Sequence, residues 1–302
     1  MIGLQVFRRR SFMIEGWKLV WILILGLLCL GVPMGLMIYY NAKYHAPIKY
    51  AFMGGLVFLF FALFLEQSVH ALVFSIKDLR ALPWIYVLYG ALMAALFEEI
   101  PRYLVLKWMD KDHKLGVPDV KQYGIGHGGV EMAFIVGLSN ISNYFFANRI
   151  NKEGLDALVK SMPANSQEAV KKAGESLINL DTWSLTAPLI ERGLALAFHV
   201  CLALMAFLIV RGAMKKSGIL LLLAFHFIFD LPAAMFQVGL LKYTGPLYIF
   251  YGLVDLILVF SLRKKIKKYK KDLERRPQVS RMTHWPKVVK DPFGRSGSPD
   301  RQ

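Results

Sequence analysis

Seven stretches of this chain are apolar over about 20 residues or more, and a stretch of that length has one stable use, crossing a bilayer as an α-helix. They cover roughly 17–40, 50–76, 82–108, 122–147, 183–211, 218–241 and 244–262. A β-barrel would show short segments of alternating polarity, and these blocks do not alternate. The chain is 56% hydrophobic and 19% charged over 302 residues, which fits a membrane protein rather than a soluble one. The expected fold is therefore an all-α polytopic membrane bundle spanning residues 1–262. It has seven or eight transmembrane helices. That block, Trp17 to Tyr40, is too long for the core of a signal peptide and lacks a small-residue cleavage site, so it reads as a retained span.

Charge sets the expected orientation. The formal net charge is +16, and much of it lies between Arg263 and Lys290. Basic residues beside spans favour the cytoplasm. The tail, 263–302, is thus expected to be cytoplasmic, with Arg263, Lys264, Lys265, Lys267 and Lys268 touching anionic lipid. Its Pro/Gly/Ser-rich end is expected to be disordered. Arg211, Lys215 and Lys216 then fall inside, as do Lys107, Lys111, Lys114 and Lys121. Seven spans leave Arg8, Arg9 and Arg10 outside, where they fit poorly. The protein reads as a multi-pass protein of the cell membrane. No nucleic-acid-binding module is present. Two cysteines exclude a disulfide framework. Residues 148–182 form a polar connection with an expected surface helix, Ser166 to Leu180.

Charged side chains at membrane depth cost on the order of 2.5–3.5 kcal/mol each, so they usually face the bundle interior and mark function. Here they recur in four successive spans: Glu98, Glu99 and Arg102; His127 and Glu131; Glu191, Arg192 and His199; His226 and Asp230. Glu98 and Arg102 are four apart, as are His127 and Glu131, and His226 and Asp230. Each pair shares a helix face. Counted from the span ends, the four groups sit within roughly 9 Å of one depth.

Neutral imidazoles from different helices, joined by a carboxylate, suit a divalent metal, zinc being the expected one. Water on such an ion has its pKa lowered towards 7. A neighbouring glutamate can take its proton. Arg102 can hold a glutamate ionised or bind an oxyanion. Asp230 can orient a histidine. The glycines around His127 permit close approach by another helix or by an extended substrate.

The motifs resemble a known group. Glu-Glu-x-x-Arg (Glu98 to Arg102), aromatic-x-x-x-His (Tyr123 to His127) and His-x-x-x-Asp (His226 to Asp230) look like the CAAX protease and bacteriocin-processing superfamily of intramembrane peptidases. Gly-His-Gly-Gly-Val-Glu and the string from Glu191 to His199 resemble its YhfC branch of intramembrane metalloproteases. The likeness covers roughly 82–241. It implies a membrane metalloendopeptidase that cuts a peptide or membrane-protein segment near the cytoplasmic leaflet. In that reading Glu98 or Glu99 is the base, and His127 and His226 hold metal or water. Glu131, His199 and Asp230 join the expected metal group. The arginine stands one residue closer to the glutamate pair than the superfamily pattern has it, which leaves the roles of Glu98 and Glu99 open.

Other readings remain. Intramembrane Glu, Asp and His also build proton relays and cation sites in transporters, although no inverted repeat is evident. A non-catalytic peptide-binding or immunity scaffold would keep the cavity. Glu98, Glu99 and Arg102 could form a structural ion pair, and His199 an interhelical hydrogen bond. Glu66 and His70 read as structural or gate-lining. Asp255 has no local partner in the sequence.

Overall fold

The computed structural model describes residues 13–76 and 79–275. Arg8, Arg9, Arg10 and the Pro/Gly/Ser-rich end of the tail lie outside the described residues. All regular structure among the described residues is helical. Seven long helices dominate. They are α1 (Gly16–Tyr44), α2 (Lys49–Ile76), α3 (Pro83–Met109), α4 (117–153), α7 (Thr182–Val210), α8 (Gly218–Gln237) and α9 (Gly245–Arg275). Two short helices, α5 (Leu155–Ser161) and α6 (Ala164–Asn179), lie in the polar connection. The second of these is the expected surface helix.

Local chemistry sets several helix ends. α3 starts on Pro83, where a missing N–H is harmless. At the start of α4, Gly116 N donates to Asp119 Oδ2 at 2.8 Å. Asp181 caps α7 by accepting from Ser184 N at 2.7 Å. Two helices carry π-helical turns, Phe58–Glu66 in α2 and Ala133–Gly137 in α4. Such turns often accompany functional sites, and both adjoin the polar cluster described below.

Contacts between helix ends give the topology. At one end Gln122 Nε2 donates to Met37 O (3.0 Å), Arg211 Nη2 donates to Asp110 Oδ1 (2.8 Å), and the rings of Phe207 and Tyr269 meet. At the other end Asn151 pairs with the backbone of Ile14, Trp21 with Thr186, and Trp183 with Thr244. Successive long helices therefore run in alternating directions. The basic end of α9 marks the first of these ends, called here the tail end.

The protein is a membrane protein. Six helices, α1, α2, α3, α7, α8 and α9, are long and apolar enough to cross a bilayer. Their outer faces expose large apolar side chains, including Leu27, Phe52, Phe64, Leu104, Leu220 and Phe260. α4 is also long enough, but Gln122, His127 and Glu131 make it too polar to meet the same standard. It is buried instead, with Val120 and residues 122–129 all inside the protein. Its glycines explain how. A Cβ on Gly124 would come within 2.7 Å of Val200 Cα, and one on Gly129 within 2.6 Å of Pro33 Cβ. One on Gly126 would overlap the carbonyl of Ala51. Three helices, α1, α2 and α7, thus press on α4 at backbone distance. α8 is the opposite case, burying only Leu222, His226 and Phe229.

Candidate metal centre

All eight residues expected at the site meet in one interior cluster. α3 supplies Glu98, Glu99 and Arg102, α4 supplies His127 and Glu131, α7 supplies His199, and α8 supplies His226 and Asp230. The close approach allowed by Gly124 and Gly128 brings His127 against α7, and its Nε2 reaches Glu98 on α3.

Glu98 stands between histidines. Its Oε2 lies 2.9 Å from His127 Nε2 and 3.8 Å from His199 Nδ1, while its Oε1 lies 3.9 Å from His226 Nε2. Glu99 is held differently. Its Oε1 accepts from Arg102 Nη1 and lies 2.6 Å from His226 Nδ1. The expected pair of Glu98 with Arg102 is therefore the looser one, at 3.8 Å. Three residues along a helix place Glu99 and Arg102 side by side as well as four would.

The second tier is also ion-paired. Glu131 reaches His199 Nε2 at 2.5 Å and accepts from Arg192 Nη1. Arg192 Nη2 also donates to Glu191 at 2.6 Å. Asp230 lies 3.2 Å from His226 Nε2. His127 and Glu131 share a helix face as expected, yet they serve different partners on different helices.

Sequence spacing gave no signal for two aromatic features. The ring of Phe58, at the first π turn of α2, meets His127 edge-on at 5.4 Å. A stack of Phe198, Phe229 and Tyr251 joins α7, α8 and α9, with centroids 3.8 and 4.1 Å apart, and Phe198 also abuts His226. Apolar residues in apolar helices carry no mark that separates a site wall from ordinary packing. Glu66 and His70 do pair, at 3.1 Å, and His70 Nδ1 lies 2.9 Å from the Tyr89 hydroxyl.

The donor set fits a divalent metal. Glu98, His127 and His199 offer ligand atoms all within 4.8 Å of one another, and so do Glu98, Glu99 and His226. Glu99 Oε2 and His127 Nδ1 are buried without a hydrogen-bond partner among the described residues. Charge points the same way. Five acids, Glu98, Glu99, Glu131, Glu191 and Asp230, face two cations, Arg102 and Arg192. Glu191 and Asp230 keep some exposure, but the buried acids Glu98, Glu99 and Glu131 still outnumber the two guanidiniums, and a bound cation would offset the excess.

Comparison with known proteins agrees. A sequence model of the family described as YhfC intramembrane metalloprotease matches residues 28–251, which takes in the whole cluster. The chain is 30% identical over 256 residues to the "Uncharacterized membrane protein YhfC" of Bacillus subtilis (strain 168), covering 83% of this chain and 98% of that protein. No solved structure matches. On the extent of both matches, the chain belongs to the YhfC intramembrane metalloprotease family.

Proposed function

We propose that this protein is a zinc-dependent intramembrane endopeptidase, acting from a seven-helix bundle in which α4 crosses the membrane sheltered by its neighbours. One observation carries the reading. The two carboxylate oxygens of Glu98 face two imidazoles on different helices, His127 on α4 and His226 on α8.

Of the three histidines in the cluster, His127 and His226 have carboxylates alone as polar partners. No guanidinium competes for their ring nitrogens, so these two would hold the ion. His199 differs, because Arg102 Nη2 donates to its Nδ1 at 2.8 Å. A guanidinium has no lone pair to share and repels a cation. His199 therefore acts as a strut between Arg102 and Glu131.

A bound zinc ion supplies a Lewis acid and a water of lowered pKa. Glu98 would take a proton from a water that adds to the peptide carbonyl carbon and would give that proton to the amine as the C–N bond breaks. Glu99, paired with Arg102, stays ionised and fixes His226 through Nδ1. Nε2 of the same ring, which faces Glu98 and Asp230, is the nitrogen left for the ion. Arg102 is fully buried among these groups and holds the acids in register. The substrate is a peptide or a membrane-protein segment.

The test is elemental analysis of detergent-purified protein, wild type beside His127→Ala and His226→Ala. Near-stoichiometric zinc in the wild type, lost from both folded variants, is the expected result. Metal-free wild type prepared without chelator would remove the metallopeptidase reading.

A further inference from the structure

The two directions out of the cluster are built of opposite materials. Towards the tail end, α7 is apolar and buried at every position from Cys201 to Ile209. Val120, Tyr123, Leu106, Leu222 and Leu258 pack on it. Beyond them Arg211 and Asp110 close the end, and Arg211 Nη2 also donates to Leu115 O at 2.8 Å. No charged side chain intervenes in this stretch of α7.

Towards the opposite end the neighbours of the cluster are charged and keep some exposure. The side chains of Asp230 and Glu191 are 31% and 24% exposed, and those of Arg192 and Glu131 are 13% and 12% exposed. They come from α8, α7 and α4. Glu66 of α2 continues the polar lining, within electrostatic reach of Glu98 and Asp230, and leads on to His70 and Tyr89.

Depth decides what that exposure means. Asp230 stands seven residues before Gln237, about 10 Å from the far end of α8, and twelve after Gly218, about 18 Å from its tail end. Glu191 is about 14 Å from the far end of α7 and about 28 Å from its tail end. A carboxylate exposed to hydrocarbon at such a depth would cost on the order of 2.5–3.5 kcal/mol, so its open face needs water. The packed side offers no route for it. The nearer, polar side does.

We propose that water and substrate reach the cluster from the end of the bundle opposite the basic helix of α9, through a polar vestibule formed by Asp230, Glu191, Arg192, Glu131 and Glu66. This rests on the peptidase reading for the nature of the substrate, an extended peptide segment presented at that face. It places access on the face away from the tail, whereas the motifs lead one to expect cutting near the leaflet on the tail side. The vestibule carries more acids than cations, which favours a segment with basic residues next to the cleaved bond.

The experiment is sided labelling in sealed proteoliposomes. In a background of Cys29→Ala and Cys201→Ala, single cysteines are placed by Glu191→Cys and Asp230→Cys in the vestibule. Lys216→Cys marks the tail end and Tyr243→Cys the far end. A permanently charged methanethiosulfonate reagent is added from one side at a time, and each variant is first checked for monodispersity in detergent. Both vestibule cysteines should react from the Tyr243 side at least tenfold faster than from the Lys216 side. Reaction from the Lys216 side, from both sides equally, or from neither would overturn the proposal. If Glu191→Cys does not fold, Asp230→Cys decides alone. Labelling does not read hydrolysis, so a protein that labels as expected but holds no metal ends the peptidase reading and leaves the route standing.

Discussion

Arg102 Nη2 donates to His199 Nδ1 at 2.8 Å, joining α3 to α7 through two side chains withdrawn from solvent. The same guanidinium donates to Glu99 through Nη1. Arg102 is thus the cation around which two helices and two acids are arranged. Arg102→Ala should lower stability by about 3–5 kcal/mol, because it strands Glu99 as an unpaired buried charge. Arg102→Lys should recover little, since one ammonium cannot make both contacts. Unfolding of the purified variants followed by circular dichroism checks this, and a melting temperature equal to wild type would contradict it.

His199 and the other two histidines should separate by metal content. His127→Ala and His226→Ala are expected to lose the ion. His199→Ala should retain it and instead melt earlier, because the bridge between Arg102 and Glu131 is broken. If all three lose metal equally while folded, His199 is a ligand and the strut role is wrong.

The adjacent glutamates should also part company. Glu98→Gln keeps shape and hydrogen bonding but cannot accept a proton. It should leave metal and fold intact and slow hydrolysis of a reporter segment by roughly 10²–10⁴-fold. Glu99→Gln should act mainly on stability, through Arg102. Equal and opposite behaviour in paired turnover and melting measurements would exchange the two roles.

Asp230→Ala should weaken metal binding by about 10–100-fold without abolishing it, as loss of an acid beside a ligating nitrogen does. Competition against a chelating dye reads the difference. An unchanged dissociation constant would place Asp230 in the vestibule alone.

Asp255 is buried on α9 with neither carboxylate oxygen hydrogen-bonded among the described residues. Leaving such a group unsatisfied costs about 1–3 kcal/mol. Asp255→Asn should therefore raise the melting temperature, and Asp255→Leu should do so at least as much. A clear drop in both would mean that the carboxylate has a partner in the membrane-embedded protein.

Much of this arrangement is legible in the sequence because a charge inside an apolar helix is expensive and conspicuous. Glu98, His127, His199 and His226 announce themselves in this way, and residue counting along each helix places them at one level. Pairing is less legible. Spacing favours Glu98 for Arg102, whereas the α3 rotamers give the tighter contact to Glu99. Spacing also groups His127 with Glu131, whereas inter-helix geometry sends one to α3 and the other to α7. The direction of access is the least legible feature. It depends on what fills the space above and below the cluster, and the buried run from Cys201 to Ile209 reads in sequence like any lipid-facing stretch. α4 illustrates the same limit. Its glycines suggest close packing, but that three helices converge on it, and so shelter its polar residues, follows only from the assembled bundle.

α8 has a further consequence. Three of its side chains are fully buried, and one of them is His226. α4 is wedged on three sides and cannot shift without displacing its neighbours. An ion held by His127 and His226 would therefore clasp α8 to a helix wedged on three sides. Occupancy would then be a mechanical variable as well as a chemical one, a clasp between two walls of the chamber.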